Sequence, residues 1–328
     1  MAKYAASMDD VIAASKRIEG HGHITPVLTN NTINKLSGKE IFFKCENFQK
    51  IGAFKFRGGW NAISSLNDEE AVNGVCTHSS GNHAQAVAYA SSIYGINSII
   101  IMPKNAPDNK IKNTKKYGAE IILYDPNIEK REDIGIRISN EQGRVLIKPY
   151  DDLDIIAGQG TCGLEIASEL KNLKIIPDIF LCCCGGGGLI AGSSTYLTHV
   201  FPKMKCYSVE PEGFNDTQIS LKKNSITSNM QGKNSICDAL LAEQPGNITF
   251  PINQKNLYQG LSVTDDEVKK TILTLSEDLK IVVEPGGAVA ASALLNHKID
   301  TSNKTIVVMI SGGNIDELLF SNIVKKFK

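Results

Sequence analysis

The sequence predicts an α/β fold of parallel-rich sheets with helices on both faces. Three observations carry that expectation. Short apolar runs of strand length alternate with longer amphipathic stretches along the chain, the pattern produced when parallel strands are joined by crossover helices. Glycine runs follow directly on two of the apolar runs, at 185–188 and at 312–313, where strand ends meet helix starts and where sites of such folds lie. The 328 residues, 42% of them hydrophobic, suffice for a sizeable core and about two domains. No repeat, low-complexity tract or Gly/Ser linker divides them, so a second domain reads as an insertion in a continuous chain.

Element by element, the first 20 residues carry Asp9, Asp10, Lys16, Arg17 and Glu19, which interrupt the apolar stretch of a secretory signal. They read instead as an amphipathic helix with Met8, Val11 and Ile12 at i, i+3, i+4, although Ser15 breaks the stripe at i+7. Strands are expected over 41–45, 74–78, 98–102, 120–124, 144–147, 179–184, 205–210 and 305–310. Helices are expected over 82–95, 108–117, 158–172 and 189–201.

Charge excludes several classes of function. Lys+Arg and Asp+Glu both total 35, so no surplus of basic charge funnels the chain toward a nucleic-acid polymer or an anionic membrane. No apolar run approaches the roughly 20 residues that span a bilayer. Of the eight cysteines, Cys182, Cys183 and Cys184 are consecutive within an apolar strand. Neighbouring strand residues point to opposite faces, so the three can neither converge on one metal nor pair easily. Without a C-x-x-C spacing, they read as reduced thiols of a cytoplasmic protein.

Four motifs carry chemistry. Gly185, Gly186, Gly187 and Gly188 lie between a buried strand and a helix, where bare backbone N–H groups and the helix dipole hold an anion. Neither the P-loop Lys-Ser/Thr nor the dinucleotide fingerprint accompanies them, so a phosphate is indicated and a nucleotide is not. Lys55 lies between Phe54 and Phe56, a setting in which desolvation favours the neutral amine that an imine requires; a lysine snorkelling from a helix is the plain alternative. The segment from His78 to His83 contains Ser79, Ser80 and Asn82 at a strand end before a helix. It either holds a carboxylate or caps that helix. Ser311, Gly312, Gly313 and Asn314 follow an apolar strand and on their own mark only a turn.

In this order and spacing the four motifs resemble those of the fold-type II pyridoxal-phosphate enzymes (tryptophan synthase β-like), and within them the serine racemase and serine/threonine dehydratase group. The resemblance runs from Ile24 to Asn314. It implies a large domain of residues 1–74 and 150–328, with a smaller inserted domain of 75–149, and a homodimer. It implies that Lys55 forms the imine with pyridoxal phosphate, that Phe54 packs beside the ring, and that Asn82 bonds the 3′-oxygen. Gly185 to Gly188 would hold the phosphate, and Ser311 would face the ring nitrogen. Ser79 and the amides of Ser80, Asn82 and His83 would hold the substrate carboxylate. Ser80 would exchange the α-proton on the face opposite Lys55. The expected activity is interconversion of L- and D-serine, with β-elimination to pyruvate and ammonia.

Four further expectations follow from the resemblance. A Mg²⁺ site (or Ca²⁺ or Mn²⁺) is expected at Glu210, the Phe214 carbonyl and Asp216; taken by themselves these residues also read as a solvated acidic loop. An activating nucleotide, ATP, is expected at Lys50, Gln85 and Tyr117. Arg131 is a candidate for the second carboxylate of 3-hydroxyaspartate, or a surface arginine on a charged helix. Ala239, where the family has glycine, is expected to trim the substrate space. Dehydration of serine, threonine or 3-hydroxyaspartate with little racemisation is one alternative, cysteine-synthase-like β-replacement a second, and a non-catalytic pyridoxal-phosphate protein a third. With so short a stretch after Ser311, no regulatory domain is expected.

Overall fold

The computed structural model describes residues 6–36, 38–106, 108–230 and 232–327; the first five residues of the expected N-terminal helix lie outside them. Its larger sheet contains β1 (Val27–Leu28), β2 (Ile41–Cys45), β7 (Ile179–Cys183), β8 (Lys205–Pro211), β9 (Leu257–Val263) and β10 (Ile306–Ile310), in the order β1-β2-β10-β7-β8-β9. Only β1 runs antiparallel to its neighbour. The smaller sheet has the order β5-β4-β3-β6, all parallel, from β3 (Val75–His78), β4 (Ser98–Pro103), β5 (Glu120–Tyr124) and β6 (Val145–Leu146). Every residue of β2, β7 and β10 is buried, as expected for central parallel strands covered on both faces.

The eight expected strands are present, with ends shifted by at most a residue or two. β1 and β9 were not foreseen: β1 has two residues, and Leu257–Val263 holds a glycine and alternates poorly on its exposed edge. Of the expected helices, α5 (Asn82–Tyr94), α6 (Asp108–Lys115) and α9 (Gly188–Val200) form nearly as read. The helix expected from 158 begins earlier, as α8 (Leu153–Asn172), because Asp152 caps the backbone N–H groups of Asp154 and Ile155. The N-terminal helix, α1 (Met8–Ile18), buries Val11, Ala14 and Ile18 rather than a Met8–Ile12 stripe, since its partner α8 approaches from that side. Also present are α2 (Asn31–Asn34), α3 (Lys55–Ser64), α4 (Asp68–Ala71), α7 (Arg131–Gln142), α10 (Asp216–Lys223), α11 (Thr249–Asn256), α12 (Asp265–Thr274), α13 (Pro285–Leu295) and α14 (Glu317–Phe327). No helix among the described residues is long and apolar enough to cross a membrane. All eight cysteines are free and buried.

A buried ionic cluster fixes α3 against the larger sheet. Arg57 donates to both oxygens of Glu46 at 2.7 and 2.8 Å and to both oxygens of Glu165 at 2.6 and 2.8 Å. Lys44, in β2, also reaches Glu165. Burial pushes the Glu46 carboxyl up, but the Arg57 guanidinium outweighs it and holds Glu46 below its ordinary value. The cluster sets the start of α3, and Lys55 is the first residue of that helix. Arg57→Ala leaves Glu46 buried and without its cation, so it should lower the unfolding free energy by about 3–5 kcal/mol in a urea titration. Lysine lacks the two-pronged geometry and should recover little. A loss under about 1 kcal/mol would show that the cluster is not what holds α3.

Candidate active site

Strand polarity brings the motifs together. β10 lies between β2 and β7 and runs parallel to both, so Ser311 and the glycine run leave the same sheet edge side by side. Ser79 to His83 leave the equivalent end of β3, in the smaller sheet. All of them line one cavity of about 1020 Å³, together with Phe54, Lys55, Tyr150 and Cys183.

Lys55 Nζ donates to the Pro149 carbonyl at 2.6 Å and lies 5.2 Å from the centre of the Phe54 ring. Burial lowers its pKa to about 8, against a small opposing effect of Cys183. This is the neutral-amine setting expected from the sequence, and the snorkelling alternative is set aside because the amine is enclosed. Phe56 turns the other way, into an aromatic stack with Trp60 and Tyr89.

The glycine run is held open from behind. Thr249 Oγ1 donates to the Gly186 carbonyl at 2.6 Å, and Asn253 Nδ2 to that of Gly187 at 3.4 Å. With these carbonyls bonded to α11, the N–H groups are left for an anion at the start of α9. Gly187 has φ +92°, and a Cβ at Gly186 would sit 2.2 Å from the Tyr150 ring. A side chain at either position would fill the cradle or strain it, so the loop fits a phosphate.

Asn82 occupies the junction of three elements. Its Nδ2 donates to Glu284 at 2.7 Å, and its Oδ1 accepts from Asn314 at 2.8 Å. The His83 ring is bonded to Thr77 and to the Ile147 carbonyl, and burial, with the Lys55 charge, holds its pKa well below the ordinary histidine value. What His83 can offer a carboxylate is therefore its main-chain N–H. Ser79 and Ser80 are half-buried on the cavity wall, and Ser79 Oγ accepts from Gly81 N–H. Ser311 also lines the wall, close enough to Cys183 to favour its thiolate. Arg131 also lines the cavity, but its side chain is exposed and paired with neighbouring Glu132, so it is at once a wall cation and a surface arginine of a charged helix.

Two expected groups lie elsewhere. Glu210 is fully buried and accepts from the N–H groups of Thr217 and Gln218 at 2.8 Å each. Asp216 Oδ1 accepts from Asn229, while its Oδ2 is buried without a partner among the described residues. Burial pushes both carboxyls up, Asp216 to about 7, and the Asp216 charge adds to the shift at Glu210. Two buried acids with an orphaned oxygen fit a hard divalent cation and not a solvated loop. No cluster of three His, Cys, Asp or Glu exists among the described residues, so a third ligand must come from the main chain, such as Phe214, or from water. Lys50 Nζ lies over the Phe56 and Tyr89 rings, and Tyr89 packs on Tyr117. Gln85 is on the cavity wall instead.

Sequence reasoning missed Glu284, Tyr150, Lys110 and Cys183. The signal for Glu284 was an acid directly before Pro285 at a helix start. Its carboxyl is buried with no cation bonded to it, and burial followed by the Asp238 charge pushes its pKa to about 7. In cofactor-free protein the folded state therefore keeps a proton that the unfolded chain releases near pH 4.5. Stability should fall as pH rises from about 4.5 to 7, by roughly 3 kcal/mol from this group. Asp216 titrates in the same window, so the test is a difference: Glu284→Gln should flatten the urea-derived stability curve relative to wild type, and parallel curves would exclude Glu284 as the source.

The chain matches the family model described as "Pyridoxal-phosphate dependent enzyme" over residues 18–312. It is 44% identical over 308 residues to the serine racemase of Schizosaccharomyces pombe, covering 94% of each chain. It is 40% identical to the L-threo-3-hydroxyaspartate ammonia-lyase of Saccharomyces cerevisiae, over 96% of this chain and 95% of that one. The solved maize serine racemase superposes with a TM-score of 0.91 at 38% identity, with 98% of each chain covered. With an enclosed amine, a bare glycine cradle and this match over most of its length, the chain belongs to the pyridoxal-phosphate dependent enzymes, with the fold-type II architecture.

Proposed function

We propose that this enzyme interconverts L- and D-serine and also eliminates water from serine, releasing pyruvate and ammonia. The observation that carries the reading is the single cavity in which an amine lowered to about 8 meets the Ser79–His83 loop and the glycine cradle. Relatives named serine racemase at up to 44% identity support it. Bound pyridoxal phosphate supplies an electron sink for charge left at the substrate α-carbon. The residues do the rest. Lys55 attaches the cofactor and then takes the α-proton on one face, while Ser80 delivers its own hydroxyl proton on the other, the two groups exchanging roles in the reverse direction. Phe54 packs against the ring, Asn82 bonds its 3′-oxygen, and Gly185, Gly186, Gly187 and Gly188 bind the phosphate. Ser311 meets the ring nitrogen with a hydroxyl, which is no permanent ionic partner, so the sink is moderate. Ser79 and the amides of Ser80, Asn82 and His83 orient the carboxylate.

Glu210, Asp216 and the Phe214 carbonyl would hold Mg²⁺, Ca²⁺ or Mn²⁺, and Lys50 with Tyr117 and Gln85 an activating ATP. A homodimer in the cytoplasm, with domains 1–74 plus 150–328 and 75–149, completes the reading.

A second reading, elimination from 3-hydroxyaspartate, is favoured by Arg131 and Lys110, two cations on the cavity wall that could meet a second carboxylate. A panel of L-serine, D-serine, L-threonine and L-threo-3-hydroxyaspartate, scored for product chirality and 2-oxo acid, separates the two. Formation of D-serine from L-serine supports the first. Release of 2-oxo acid from hydroxyaspartate alone overturns it.

A further inference from the structure

Among the described residues, Asn229 alone is bonded both to the acidic pair and to the segment that forms the substrate wall. Its amide nitrogen donates to Asp216 Oδ1 at 2.6 Å and to the Ala242 carbonyl at 2.9 Å, and its main-chain N–H donates to the Glu243 carbonyl at 2.8 Å. Its own Oδ1 is buried and, like Asp216 Oδ2, has no partner among the described residues. The segment tethered in this way, from Asp238 to Ala242, lines the catalytic cavity. At its start Asp238 pairs with Lys110, which projects from α6 beside the smaller sheet. The wall is thus held at one end by Asn229 and at the other by an ion pair that crosses the cleft.

We propose that Asn229 is a positioning residue that transmits occupancy of the cation site to the substrate wall. The physical basis is planarity. A divalent cation on the orphaned Asp216 Oδ2 fixes the carboxylate plane and with it the direction of Oδ1. The carboxamide is rigid, so aiming one of its N–H bonds at Oδ1 aims the other at the Ala242 carbonyl. Cation binding therefore tightens segment 238–243 without the cation touching substrate. Of the four side-chain polar atoms on Asp216 and Asn229, Nδ2 of Asn229 and Oδ1 of Asp216 are used by this link, and the other two are open to the cation and its water.

This inference rests on the cation reading above, and the test separates the two. Mn²⁺ binding to metal-stripped holoenzyme is followed by water-proton relaxation, alongside the KM for L-serine with and without Mn²⁺. Wild type should bind Mn²⁺ and lower its KM by about fivefold or more, the usual lower range of coupling between sites. Asp216→Ala should lose binding. Asn229→Ala should bind Mn²⁺ within about threefold of wild type yet shift KM by less than about twofold. In wild type, hydrogen exchange of amides 238–243 should slow on adding Mn²⁺, a readout that needs neither turnover nor a folded variant. A full KM response in Asn229→Ala, loss of Mn²⁺ binding in that variant, or unchanged exchange over 238–243 would each overturn the inference while leaving the cation site standing. Absence of Mn²⁺ binding in wild type would remove the cation site itself, and the inference with it.

Discussion

Lys55→Ala should yield folded protein that takes no borohydride-stable label from pyridoxal phosphate and turns over serine at least about 10³-fold more slowly than wild type. The size of the effect follows from the amine's surroundings. An exposed lysine near its ordinary pKa is almost wholly protonated at neutral pH. With the pKa of Lys55 lowered to about 8 by burial, the neutral fraction at pH 7 rises roughly 300-fold. The same group then serves as an acid and base near its own pKa, where proton transfer is most effective. Lys55→Arg should be as inactive, because a guanidinium stays protonated throughout the accessible pH range. The stability of either variant should change little beside the loss of activity, because among the described residues the only hydrogen bond at Nζ is to the Pro149 carbonyl. Turnover and label retained in Lys55→Ala would place the attachment elsewhere and undo the reading of the cavity.

Ser80→Ala should suppress racemisation, and elimination from D-serine, by about 10²–10⁴-fold, while elimination from L-serine falls by no more than about tenfold. Each enantiomer presents its α-hydrogen to one face only. If Lys55 works one face and Ser80 the other, deleting the hydroxyl disables the enantiomer whose proton faces it and blocks crossover between the two. The variant should also incorporate solvent deuterium into L-serine without inverting it. Ser80 is half-buried on the cavity wall, so the methyl of alanine fits without repacking, and a change in rate reports chemistry rather than folding. Equal losses from both enantiomers would contradict the two-face division of labour.

Much of this was legible in the chain. The eight principal strands could be read because their apolar runs are continuous and buried on both faces, and the helices beside the motifs because glycine and asparagine mark their starts. The missed pieces have local patterns too weak to read. Helix α13 is apolar all round and carries no stripe, and β9 contains a glycine at its sheet edge. Helix α1 was read with its stripe turned because Met8, Val11 and Ile12 look continuous in sequence, whereas packing on α8 selects Val11, Ala14 and Ile18.

By itself, then, the sequence determined the fold class and located Lys55, the glycine run and the Ser79–His83 loop, since each of these is a short run whose backbone chemistry is local. Tertiary structure alone decided how those runs meet. Glu284 reaches Asn82 across 202 residues, Lys110 reaches Asp238 across 128, and Arg57 joins Glu165 across 108. Carboxylates and amines of this kind look like ordinary surface charges when read along a chain. They acquire their function only where burial strips away water, and burial is a property of the packed sheets and not of any neighbouring residue.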